Sequence, residues 1–109
     1  MELISEDSSN SQITSYIGNY SGTYSGDDSG IWEFSIDSNG NIQGVAYSDL
    51  YGNISLSGNI TDGTNGTMVM GDASYGVTFS GNINTITGEV SGTWSNTEGY
   101  YGTYKGYKN

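Results

Sequence analysis

A five-residue unit, in which an apolar residue, Ser, Gly, Asn or Thr and a second apolar residue follow one another, recurs along the chain. It occupies residues 20–24, 56–60, 79–83 and 90–94, with looser copies at 42–46 and 104–108. Because side chains alternate between the two faces of a β-strand, both apolar residues and the glycine between them face the same way. The unit therefore predicts strands whose core face carries a glycine that a large ring from the neighbouring strand can cover.

Turn sequences separate these units at short intervals. Asn39-Gly40, Asp62-Gly63 and Glu98-Gly99 are pairs that tolerate the positive φ of a tight turn. No window has the i, i+3, i+4, i+7 spacing of an amphipathic helix. The sequence thus predicts an all-β fold, an antiparallel up-and-down meander of about eight strands, curved into a half-barrel, a sandwich or a small barrel. The predicted strands cover residues 17–25, 30–37, 42–48, 53–60, 67–71, 75–83, 88–95 and 100–107.

At 109 residues the chain has the size of one domain. Residues 1–15 are mostly polar and predict a flexible arm, so we expect a single β domain over residues 16–109. Met68 and Met70 are expected to fill an irregular gap beside the core. The predicted core consists of Tyr20, Tyr24, Trp32, Phe34, Ile36, Ile42, Leu56, Ile60, Val77, Phe79, Ile83, Val90, Trp94 and Tyr104.

The residue types missing from the chain limit its chemistry. Without Cys, His or Arg it cannot build a disulfide, a zinc site, a His-dependent triad or a phosphate clamp of arginines. Paired carboxylates could still cleave a glycosidic bond, but twelve acids on a small domain form such pairs by chance. Residues 37–41 begin like a calcium loop, yet no Glu closes it, and we interpret them as a hairpin turn. We expect no enzymatic activity, no cofactor and no metal.

The acidic balance points to the kind of partner. Twelve Asp and Glu against two Lys give a net charge of −10, which repels nucleic acids and anionic membranes and attracts basic partners. The same charge could simply keep a Gly- and Ser-rich domain soluble. Residues 1–7 lack the basic and apolar regions of an export signal, and no stretch is long enough to span a membrane. We therefore expect no nucleic-acid or membrane partner and a monomer when free.

Ten tyrosines accompany the acids. Tyrosine gives a large contact area at low entropic cost and can stack on Lys or Arg, while carboxylates steer and pair with a basic partner. Tyrosines at strand ends and turns, next to acids, are therefore the candidates for a contact surface. The predicted partner-binding residues are Asp27, Asp28, Glu33, Asp37, Tyr47, Asp49, Tyr51, Asp72, Tyr75, Glu89, Glu98, Tyr100 and Tyr101.

The repeated hairpin unit, over residues 20–108, resembles that of small bacterial Gly-rich β-hairpin repeat domains, some of them on surface lipoproteins. As an acidic chain without cysteine, it is also similar to the immunity proteins of contact-dependent growth inhibition systems, in particular those paired with ribonuclease toxins. This resemblance implies an inhibitor in the bacterial cytoplasm that binds its cognate toxin domain and blocks the active site. These proteins share no motif that can be matched residue by residue, so the resemblance assigns no site residues.

A secreted or surface module that binds carbohydrate through exposed aromatic rings is the alternative. Asn and Asp side chains would then hydrogen-bond sugar hydroxyls, and an export signal would precede the chain. The two functions differ in salt dependence, because screening over about 8 Å at physiological ionic strength weakens charge steering but not sugar stacking.

Overall fold

A computed structural model describes residues 13–109, which form a closed barrel of eight antiparallel strands. The strands are β1 (Gly18–Gly26), β2 (Gly30–Ile36), β3 (Asn41–Ser48), β4 (Gly52–Asp62), β5 (Thr67–Asp72), β6 (Val77–Ile83), β7 (Glu89–Asn96) and β8 (Tyr101–Lys108). Each pairs with its neighbours in sequence, and β8 pairs with β1 to close the barrel. The all-β antiparallel prediction is confirmed, with strand bounds within two residues of those expected, and the sheet closes into a barrel.

All fourteen predicted core residues are buried, and Met68 and Met70 lie within the same core. The sequence analysis missed Tyr16, Ala46 and Ile54, which are also buried. Tyr16 follows a short helical turn at residues 13–14, and its hydroxyl donates to the Gly63 carbonyl at 2.7 Å. Residues 1–12 of the predicted arm lie outside the described residues. Within residues 13–109, no helix is long and apolar enough to span a membrane.

Aromatic rings fill the barrel by lying over core-facing glycines, as the repeated unit predicts. Gly22 and Gly106 face each other in register, and a Cβ on either would lie within 2.7 Å of the Trp32 ring. A Cβ on Gly81 would lie 2.8 Å from the Tyr104 hydroxyl. The Trp32 ring also meets the Tyr104 ring edge-on, at a centroid distance of 5.9 Å. These rings occupy the space that a wider barrel would leave open.

Short connections alternate between the two ends of the barrel, because consecutive strands run in opposite directions. We call the end that carries the connection between β1 and β2 the acidic end, and the other the opposite end. The opposite end also holds Tyr16 and Asn109. The Asn109 amide donates to the Asn19 carbonyl at 2.8 Å. The connections of the acidic end are residues 27–29, 49–51, 73–76 and 97–100. Those of the opposite end are residues 37–40, 63–66 and 84–88.

The glycine packing can be tested with Gly81→Ala. The added Cβ would collide with the Ser91 carbonyl oxygen and press on the Tyr104 hydroxyl, so we expect a loss of about 2 kcal/mol or more in unfolding free energy. Gly99→Ala is the control, since its Cβ would meet nothing within 4 Å and carries only the cost of a positive φ, about 1 kcal/mol. Urea denaturation gives both values. Equal losses would show that the ring packing does not depend on Gly81.

Candidate functional site

The acidic end brings together ten of the thirteen predicted partner-binding residues. They come from all four of its connections and the adjoining strand ends, which are far apart in sequence and meet because every second turn of an up-and-down barrel lies at the same end. The ten residues are Asp27, Asp28, Tyr47, Asp49, Tyr51, Asp72, Tyr75, Glu98, Tyr100 and Tyr101.

Two of the exposed carboxylates brace neighbouring turns. The Asp27 carboxylate accepts a hydrogen bond from the Tyr101 amide at 3.0 Å, which ties the first connection to the start of β8. The Asp49 carboxylate accepts one from the Ser29 hydroxyl at 2.8 Å. Each bond uses one carboxylate oxygen, and no hydrogen bond within residues 13–109 uses the other. Both side chains can therefore hold their turns and still pair with a cation on a partner.

Tyr51 crosses the mouth of the barrel. Its hydroxyl donates a short hydrogen bond to the Glu98 carboxylate, and its ring lies beside that of Tyr75, at a centroid distance of 5.9 Å. The bond to Glu98, followed by partial burial, raises the pKa of Tyr51 to about 12. The phenol therefore stays neutral at physiological pH and fixes the Glu98 carboxylate in place.

Asp28 does not belong to the exposed surface, although its sequence position resembles that of Asp27. It is 6% exposed, and its carboxylate accepts hydrogen bonds from the hydroxyls of Tyr24 at 3.0 Å and Ser48 at 2.6 Å. The Leu50 amide donates to its second oxygen at 3.3 Å. Asp28 thus positions the connection that carries Asp49 and Tyr51 rather than contacting a partner itself.

Three predicted residues lie away from the acidic end. Glu33 is on the outer wall, where it accepts a hydrogen bond from the Tyr47 hydroxyl at 2.9 Å, and this bond raises the pKa of Tyr47. Asp37 and Glu89 are at the opposite end. The structure therefore leaves Glu33, Asp37 and Glu89 outside the candidate surface.

Asp37 serves its own turn. Its carboxylate accepts the amides of Asn39 at 2.9 Å and Asn41 at 3.0 Å, and these bonds hold the pKa of the carboxyl below its usual range. The hairpin interpretation of residues 37–41 is confirmed. In residues 13–109 no three carboxylates converge closely enough to hold a metal ion.

Leu50 is a surface residue that the sequence analysis missed. It lies between Asp49 and Tyr51 in the connection before β4, and 57% of its surface is exposed, compared with 69% for Tyr101. The sequence could have indicated this residue, because it is an apolar residue in the predicted turn between two strands, flanked by an acid and a tyrosine. Leu50 adds an apolar contact to the exposed carboxylates and tyrosines of this end.

The mouth of the barrel has no room for a ligand. Beneath Tyr51 and Tyr75 lies a crevice of about 10 Å³, floored by Tyr24, Phe79 and Trp94. A volume of this size is about the minimum that one water molecule needs. Among residues 13–109, this crevice leaves no space for a small molecule beneath the two rings.

No protein-family model matches this chain, and no curated protein matches its sequence significantly. The class of protein is consequently defined by the geometry alone. It is a small, closed, eight-stranded antiparallel barrel that presents exposed carboxylates and tyrosines at one end.

Replacing Asp28 tests its structural role. In Asp28→Ala the hydroxyls of Tyr24 and Ser48 lose their shared buried acceptor, so we expect a loss of about 2–3 kcal/mol in unfolding free energy. Asp27→Ala removes an exposed bond from the same connection and should cost less than about 1 kcal/mol. Urea denaturation at constant ionic strength compares the two. Similar losses would rule out the buried network as the cause.

The bond between Tyr51 and Glu98 can be tested by titration. Glu98→Gln removes the carboxylate that raises the pKa of Tyr51, so that pKa should fall from about 12 towards its ordinary value. Because the pKa is raised in the folded state, the bond stabilises the fold below about pH 10 and is lost as pH rises through about 12. NMR of ring-labelled tyrosine follows the change. An unaltered Tyr51 titration in the variant would contradict the contact.

Proposed function

We propose that this protein is an acidic protein–protein inhibitor of the immunity type, which binds and masks the basic active site of a cognate bacterial toxin. A nuclease is the expected toxin, and a ribonuclease in particular. The observation that supports this function is the collection of exposed carboxylates and tyrosines at one end of a rigid barrel.

The charge of the acidic end is not compensated by lysine. Lys108 lies at the opposite end, where its side chain packs beside Gly18, and Lys105 lies on the outer wall of β8 opposite Thr23 and Ser91. Four exposed or partly exposed carboxylates remain at the acidic end: Asp27, Asp49, Asp72 and Glu98. A one-signed field of this kind speeds the approach of a cationic surface and disfavours anionic ones.

The contact surface also has apolar anchors. Tyr101, Leu50 and Tyr75 are 69%, 57% and 42% exposed, and all three belong to the acidic end. Tyrosine is among the residues that contribute most to binding energy when a partner buries it. The surface therefore combines long-range attraction with groups that can hold the complex once it has formed.

The geometry is preorganised. The bonds of Asp27 to Tyr101, Ser29 to Asp49 and Tyr51 to Glu98 fix side chains before any partner arrives. Binding then costs less conformational entropy. A nuclease must attract phosphate into a cationic cleft, so a rigid anionic surface is complementary to its active site.

Charge reversal at the two ends of the barrel tests the proposal. The partner in the assay is a purified basic ribonuclease toxin domain, the kind of partner proposed here. Glu98→Lys should lower the association rate by about tenfold at low salt, because it weakens electrostatic steering at the proposed surface. Glu89→Lys makes the same change in net charge at the opposite end and should have little effect. Interferometry and inhibition of RNA cleavage provide the measurements.

Two further controls separate charge from structure. Tyr51→Phe breaks the same hydrogen bond as Glu98→Lys without altering charge, so it should keep most of the association rate. Raising NaCl from about 50 to 500 mM should slow association of the unaltered protein, since the Debye length shortens several-fold. Association with the nuclease that ignores salt and responds equally to both lysine variants would overturn the proposed electrostatic recognition by the acidic end.

A further inference from the structure

The wall of the barrel is incomplete where β4 runs past the end of β5. β4 has eleven residues and β5 has six, and their pairing begins only at Ser57, opposite Gly71. Residues 52–56 pair with β3 on one side. On the other side they have no strand partner within the described part of the chain.

The unpaired groups can be assigned from the direction of one amide. The Ile60 amide donates to the Gly40 carbonyl at 2.9 Å, which lies on the β3 side. Successive residues of a strand direct their N–H and C=O groups to alternate sides, so Ile54 also bonds towards β3. Asn53 and Ser55 therefore direct theirs away from β3, and no hydrogen bond among residues 13–109 uses those groups.

An open edge in a closed barrel is unusual. Closure normally removes strand edges altogether, and the edges that remain are blunted by Lys, Pro, a bulge or a covering segment. At this edge the outward side chains are those of Asn53 and Ser55, which are exposed, small and uncharged. Neither side chain hinders another strand from approaching.

We propose that the edge of β4 at Asn53 and Ser55 accepts an extended, lysine- or arginine-bearing segment of the partner as an added strand. In such a complex main-chain hydrogen bonds supply affinity, and alternate side chains of the segment supply specificity. The basic character of the partner rests on the function proposed above, whereas the open edge rests on strand pairing alone.

The surroundings of the edge favour a cationic occupant. Asp49 lies in the connection that leads into β4, and Asp72 is the last residue of β5, where the gap begins. Tyr51 and Tyr75 pack together beside it. A second copy of this chain is a poor occupant, because two molecules of net charge −10 repel each other.

Hydrogen exchange on the unaltered full chain provides the first test. The probe is a capped peptide, Lys-Val-Lys-Val-Lys-Val-Lys, observed through the amides of the protein by NMR. We expect the Asn53 and Ser55 amides to exchange rapidly in the free protein and at least about tenfold more slowly with saturating peptide. The Ile54 amide, bonded to β3, should be slow throughout. Slow exchange of Asn53 and Ser55 in the free protein, or a dimer in sedimentation, would mean that the edge is already covered and would overturn the proposal.

A backbone-methylated peptide separates strand addition from simple charge attraction. N-methylation of the valines keeps every lysine but removes the donors that a strand needs, so binding should weaken about tenfold or more. Equal affinity of the two peptides would show that only charge is recognised.

Ser55→Pro tests the same edge from the protein side. Proline removes the outward N–H and is tolerated on strand edges, so the bonds to β3 should persist. We expect about tenfold weaker peptide binding, with Ser55→Thr as the control that keeps the N–H. Should Ser55→Pro fail to fold, the two peptide experiments still decide.

Repeating the exchange experiment with the toxin domain in place of the peptide separates strand addition from the inhibitor function. If the peptide protects Asn53 and Ser55 but the toxin domain does not bind, strand addition stands and the inhibitor function is overturned. Toxin binding without protection of Asn53 and Ser55 would support the function and overturn strand addition.

Discussion

The barrel depends on glycines where neighbouring strands come closest. Gly22 faces Gly106 and Gly81 faces Gly92, and a side chain at any of these positions would collide with a carbonyl of the adjacent strand. This close approach lets broad rings lie against bare backbone, so a small number of aromatic residues fills the interior. The interior of the described barrel is thus occupied by its own side chains.

The closed wall then turns separate stretches of sequence into one surface. Four connections lie at the acidic end because each strand reverses the direction of the last. Hydrogen bonds join these connections into a rim: the bond of Asp27 with Tyr101 links two neighbouring connections, and the bond of Tyr51 with Glu98 spans the mouth of the barrel. Buried Asp28 supports that rim from below. Four carboxylates, exposed tyrosine rings and the bonds that hold them thus lie together at the acidic end, while Asp37, Asp62 and Glu89 lie at the opposite end.

The sequence predicted the features that depend on alternation within one strand, namely the strand positions and the core residues. It did not predict the features that depend on contacts between residues far apart in the chain. Strand positions and core residues follow from a period of two around glycines, which each strand displays by itself. Closure requires β8 to meet β1, and no single strand contains that information. Asp27 and Asp28 are alike in sequence, but only Asp28 meets Tyr24 and Ser48, which come from two other strands. Likewise, the gap beside β4 depends on its register with β5 rather than on either sequence.

The described chain both enters and leaves the barrel at the opposite end, away from Asp27, Asp49, Asp72 and Glu98. Tyr16 packs under the Gly63 turn, and Asn109 bonds to Asn19 beside it at the start of β1. A surface support or another folded unit joined to Asn109 would hold the molecule by its opposite end. The acidic end would then point away from that attachment and stay accessible.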